Sequence, residues 1–182
     1  MRHHFTITRW LTVILALCLV TAVQADDSAL LEQALDRAVT TFEKALPKLS
    51  TTEFGVDVAA YRDALTLQQF QSRHWGGTVS VDLVMREGAT GSCGRFAAFV
   101  RVPPENGAVP LVLCPQFFIA GADGLRELTI LHEMVHVVAG TNECQAMAFA
   151  AKVEMTAKGR FTPVDGYWQA SGCQASGYTL PE

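Results

Sequence analysis

The sequence predicts an α+β fold, and three observations carry that expectation. Apolar residues recur at helical steps over 28–46, they alternate at 79, 81, 83 and 85, and helical patterns return from 125 onward without proline or internal glycine until residue 140. Helices first, strands in the middle and helices again describe one compact α+β layer arrangement, with irregular loops toward the C-terminus.

Taken in order, the first 25 residues read as an export signal. Arg2 and Arg9 precede an apolar run over 10–23, and the small-residue site Val23-Gln24-Ala25 comes before Asp26. That run is shorter than the roughly 20 residues needed to span a bilayer, so no membrane anchor is expected after cleavage. A secreted or periplasmic chain follows, with residues 26–182 forming a single domain. Without Arg2 and Arg9 there remain 12 basic against 18 acidic residues, a balance that argues against nucleic-acid or anionic-membrane partners.

In the segment 28–46, Leu31, Leu35, Ala38, Phe42 and Ala45 form the stripe of an amphipathic helix, with Ser28 placed to cap it and Pro47 to end it. A second helix is expected over 58–70. Val79, Val81, Leu83 and Met85 give a half-buried strand over 78–85. Further strands are expected over 96–102 and 110–114, separated by the loop-like Pro103-Pro104-Glu105-Asn106-Gly107. Cys93, Cys114, Cys144 and Cys173 lie beyond the signal, and an even count in an exported chain favours disulfides. Three pairings are possible; spacing favours Cys93 with Cys114 and Cys144 with Cys173.

The chemistry concentrates in His132-Glu133-Met134-Val135-His136. Residues four apart sit one turn apart on a helix, so both imidazoles can reach one cation, a geometry that suits zinc. Glu133 projects about 100° around the axis from His132, which places it to reach a water activated by the metal rather than to join the chelate. Asp123 can cap this helix and Gly140 can close it. Around the wheel only Arg126, Thr129, His132, Glu133 and His136 form a polar sector, so the motif would lie on a nearly buried helix. An acid and two imidazoles are costly to bury without partners, and a cation satisfies all three.

A catalytic zinc takes three protein ligands and keeps a fourth position open. Glu143, just past the turn at Gly140-Thr141 and at the start of another helical pattern, is the first candidate for the third ligand. His74, within Arg73-His74-Trp75-Gly76-Gly77, is the other, although its setting suits a loop or packing residue better.

These residues resemble the aspzincins, the family of deuterolysin and the peptidyl-Lys metallo-endopeptidases. The similarity spans residues 93–173. Leu111-Val112-Leu113-Cys114-Pro115-Gln116-Phe117-Phe118 resembles the strand and aromatic pair ahead of the active-site helix. Thr129-Ile130-Leu131-His132-Glu133 is similar to that helix, and Gly140-Thr141-Asn142-Glu143 resembles the family's Gly-Thr-x-Asp segment. The resemblance implies a zincin-like domain with N-terminal helices, a small sheet containing antiparallel strands, and an HExxH helix. It puts Glu143 in the place of the third ligand, one methylene longer than the family's Asp. The Glu ligand is also similar to the gluzincin pattern.

Where the family carries an oxyanion-stabilising Tyr, this chain has Ala146. Val164-Asp165-Gly166-Tyr167-Trp168 resembles the family's Ala-Asp-x-Tyr segment, which implies that Tyr167 supplies the missing hydroxyl. It also implies that Asp165 contacts a basic substrate side chain, although Trp168 stands where a further acid is expected.

The function expected is hydrolysis of peptide bonds in a peptide or protein substrate by a monomer holding one zinc ion, with Glu133 as general base. Two other readings are a non-catalytic zinc-binding module that binds a partner, and a disulfide-stabilised structural or inhibitory domain with an incidental motif.

Overall fold

The computed structural model describes residues 7–182, with side chains from residue 26 onward. The export signal expected over 1–25 therefore begins outside the described residues. The chain divides into two units, one ending at Gln33 and the other running from Ala34 to Glu182, and helix α1 (Ile7–Ala45) contributes to both. Among the described residues no helix is long and apolar enough to cross a membrane.

Within the second unit, α1 buries Ala38, Phe42 and Ala45 of the expected stripe, with Ala34 buried beside them and Leu35 only half-buried. It ends at Ala45, where a 3₁₀ turn carrying Pro47 takes over. Ser28 does not cap this helix, because the helix runs straight through it. A short hairpin, β1 (Thr52–Glu53) and β2 (Val56–Asp57), leads into α2 (Val58–Leu65), capped by the Asp57 carboxylate accepting from the backbone of Ala59 and Ala60.

Helix α2 is shorter than the 58–70 expected. The Thr66 hydroxyl closes it by donating to the carbonyls of Arg62 and Asp63, and Leu67 turns left-handed at φ 57°. Phe70 then opens strand β3 (Phe70–Gln71), which buries its ring by pairing with β4 (Thr78–Met85) rather than by extending the helix. Tertiary pairing overrides a weak helical pattern here.

The main sheet orders β3, β4, β6 (Ala108–Leu113) and β5 (Ala98–Val100), with β4 and β6 parallel and the other two pairs antiparallel. It is a small mixed sheet, and β5 is one of its edges. Strand β5 is shorter than the expected 96–102, and β6 starts before Pro110. The Cys93–Cys114 disulfide, the expected pairing, packs with Val84, Phe99 and Val112 to pin the loop between β4 and β5 against the sheet.

Helices α3 (Asp123–Ala139) and α4 (Glu143–Lys158) pack against each other, and α3 also packs on α2 and β5. Tyr61 of α2 is fully buried and donates to the Leu131 carbonyl at 2.8 Å, which ties α2 to α3. Asp123 is not the cap of α3. It is the first helical residue, paired with Arg126 and with Arg37 of α1. Arg126 is itself buried, donating to the carbonyls of Phe117 and Ile119, so it holds the entry to α3 rather than facing the site.

Two buried acids, Glu127 of α3 and Glu154 of α4, are both satisfied by Lys158, with Thr41 and Thr162 supplying further donors. Burial disfavours the charge on Lys158, but its hydrogen bonds to the two carboxylates outweigh this and raise its pKa. The network locks α1, α3 and α4 together at the end opposite Gly140.

Candidate metal centre

Helix α3 carries His132 and His136 on one face, as the four-residue spacing requires, with Glu133 next to them around the helix, and all three are buried. The helix stops at Gly140, whose φ of 92° and ψ of −166° only glycine adopts readily. Its carbonyl accepts from His136 Nδ1 at 2.8 Å. With that proton committed, His136 Nε2 presents a lone pair, as a metal ligand must. His74, the alternative third ligand, packs its ring against Gly140 and does not join the donor group.

Three residues after the end of α3 the chain starts α4. Asn142 caps it by accepting from the Gln145 backbone, and this makes Glu143 its first helical residue. Glu143 Oε2 lies 3.1 Å from His132 Nε2 and 3.6 Å from His136 Nε2, and the two Nε2 atoms are 3.1 Å apart. Ligands at zinc–nitrogen and zinc–oxygen distances of about 2.0–2.1 Å around a tetrahedral ion stand roughly 3.3 Å from one another. The three donors therefore already have the separations that one small cation demands. Nitrogen and oxygen atoms this close need either a proton or a cation between them, and two imidazoles with one carboxylate are a donor set that fits a divalent metal. Among the described residues these three form a group able to hold a metal ion.

Electrostatics follow the same geometry. Burial pushes the pKa of Glu143 up, but hydrogen bonds and charge from His132 and His136 outweigh it and hold the carboxylate well below its usual range. Glu133 moves the other way. Its burial raises the pKa, the two histidines offset only part of this, Glu143 adds to it, and the Val100 backbone N–H partly counters it. For His136, burial lowers the pKa, while Glu143, Glu133 and the Gly140 carbonyl raise it more. A carboxyl with a raised pKa beside a second one held ionised is the arrangement in which one accepts and returns a proton while the other stays charged.

Tyr167 arrives from α5 (Asp165–Ala170) and donates its hydroxyl to Glu143 Oε2 at 3.0 Å, with its ring centroid 6.1 Å from that of His132. Trp168, its neighbour, is buried with Met147, Ala148 and the Cys144–Cys173 disulfide, so α5 is anchored directly against the first turn of α4. That pairing is the other one expected from spacing. Ala146 is fully buried within α4, so its position offers nothing to the site. Burial and the neighbouring Glu143 raise the pKa of Tyr167, keeping its phenol protonated. Asp165 is exposed at the start of α5.

Two cavities flank Glu133. One, about 200 Å³, lies beside His132 and is lined by Phe96, Leu128, Met147 and Val164 among others. The other, about 140 Å³, lies beside His136 and Glu143 under Phe96, Val100 and Thr141. Asp165 lines neither. Strand β5 runs along both. The Cys114 N–H donates to Ala97 and the Arg101 N–H to Pro110, so Ala97 and Arg101 turn their main chain toward β6 while Ala98 and Val100 turn theirs to the open edge. Sequence patterning missed this edge and the cavities, because their walls are scattered residues from α3, α4, α5, β5 and the loops beside them, which leave no periodic signal.

No family model, curated protein or solved structure matches the chain.

Proposed function

We propose that the chain is a zinc-dependent endopeptidase of zincin type, similar to the aspzincins, exported to an oxidising compartment. The observation that carries this reading is the convergence of His132 Nε2, His136 Nε2 and Glu143 Oε2 at mutual distances of 3.1 to 3.6 Å, with the buried Glu133 beside them and open cavities on either side. The two disulfides support the compartment, since such bonds persist where thiols are not kept reduced.

A zinc ion held by these residues would polarise a carbonyl and bring the pKa of a water from 15.7 to about 7. Everything else falls to the chain. An extended peptide lies along β5 as an added strand, hydrogen-bonding to the outward main chain of Ala98 and to the Val100 carbonyl, while the Val100 N–H stays on Glu133. Glu133, with its raised pKa, takes the proton from the attacking water and passes it to the leaving amine. Tyr167, still protonated, turns its hydroxyl from Glu143 to the developing oxyanion.

A second reading, a metal-binding module without turnover, is favoured by the burial of Ala146 where the resemblance calls for a tyrosine. The two separate in one experiment: metal analysis of the purified protein and of Glu133→Gln, each incubated with an unfolded protein mixture. The enzyme holds one zinc per chain in both forms and loses turnover about 10²- to 10⁴-fold in the variant. Zinc without Glu133-dependent hydrolysis selects the module. Absence of stoichiometric metal defeats both.

A further inference from the structure

We infer that the cavity beside His132 receives a large apolar side chain next to the scissile bond and rejects Lys and Arg; this rests on the peptidase reading. The cavity is of side-chain size, about 200 Å³, and its walls are Phe96, Leu128, Met147 and Val164. Burying an apolar side chain there removes hydrocarbon from water on both partners. Two of those walls are fixed by the core. Met147 and Val164 belong to the cluster built around the Cys144–Cys173 disulfide, so the cavity keeps its shape.

Charge decides what is excluded. Arg95 also lines this cavity, with its guanidinium over the Phe96 ring, 5.4 Å from the centroid. The carboxylate within the lining is Glu133, which is buried beside His132 at the inner end of the cavity. A lysine entering this space would lose its hydration and meet the like charge of Arg95, and among the lining residues it would find no acid other than Glu133. Asp165, the acid that the family resemblance implies for a basic side chain, is exposed and lies outside the lining. The preference therefore departs from the Lys-directed cleavage of the similar peptidases.

The test uses the zinc-loaded full chain, its Arg95→Glu variant and Glu133→Gln, each incubated with a peptide mixture whose new ends are sequenced. The expected result is Glu133-dependent cutting with Leu, Phe or Met on one side of the bond and Lys and Arg depleted at least tenfold there. Arg95→Glu raises the Lys-to-Leu ratio about tenfold or more. Glu133-dependent cutting beside Lys, Arg, Asp or Glu, or an unchanged ratio in Arg95→Glu, overturns this inference and leaves the peptidase reading standing. With no Glu133-dependent cutting the peptidase reading falls. The cavity is then read by binding of Leu- and Lys-containing peptides to zinc-loaded Glu133→Gln, where equal affinity overturns the inference.

Discussion

Replacing Gly140 with Ala tests how the metal centre is held, because this glycine carries two separate burdens. Its φ of 92° and ψ of −166° lie in a region essentially restricted to glycine, and forcing a side chain to remain there costs about 1–3 kcal/mol. A Cβ would also stand 2.7 Å from His74 Nε2 and 2.9 Å from its Cε1. That clash is the smaller burden, since His74 is exposed and can swing away, giving up its edge contact with Trp75. For a chain of this size, roughly 2–4 °C per kcal/mol places the expected loss of Tm of the metal-free protein at about 2–12 °C. Measuring Gly140→Ala in wild-type and His74→Ala backgrounds separates the two contributions, and most of the loss should persist without His74. The Gly140 carbonyl orients His136, so zinc affinity in competition with a chelator should fall about 10- to 100-fold. A metal-free variant melting within about 1 °C of wild type, or an unchanged zinc affinity, would refute the reasoning.

Three further outcomes follow from the same geometry. Tyr167→Phe should keep zinc and lose kcat about 10²- to 10³-fold if the hydroxyl stabilises the oxyanion; steady-state kinetics with full activity remove Tyr167 from the chemistry. Removing the Cys144–Cys173 bond by double Ser substitution should cost about 2–4 kcal/mol in urea unfolding, from the loop entropy of a sequence separation of 29 residues, and the neighbouring α5 should gain hydrogen exchange first. Burial raises the Tyr61 pKa above its usual 10.0, so the fold favours the neutral phenol. The stability this contributes is complete below pH 10 and is lost as pH rises through the folded-state pKa. Unfolding midpoints should therefore fall above pH 10, with a shallower slope in Tyr61→Phe.

Most of the metal centre was legible in the sequence because its parts are local. His132 and His136 share a face by helical repeat, and Glu143 follows a Gly-containing turn too short to carry it elsewhere. The paired cysteines were legible for the same reason, each pair closing a loop of modest length. Errors fell where a tertiary contact outweighed a local one. Phe70 joined β3 instead of continuing α2, and Asp123 went to Arg37 and Arg126 instead of capping α3; Ser28 is a different case, since α1 is already helical before it and needs no cap there. Nothing local in the sequence marks Glu127 and Glu154 as interior; Lys158, Thr41 and Thr162, from separate places in the chain, satisfy them there.

The sequence by itself determined a helix that presents two imidazoles and an acid and a carboxylate one turn of chain beyond it, and it favoured the cysteine pairing that the structure shows. Periodicity and short spacing suffice for that, since both act within a few residues. Only the tertiary structure decided that Tyr167 reaches Glu143, that β5 offers its edge, and that the space beside His132 is apolar with Arg95 on its wall. Those features depend on where separate elements come to rest, and packing, which is insensitive to distance along the chain, sets that.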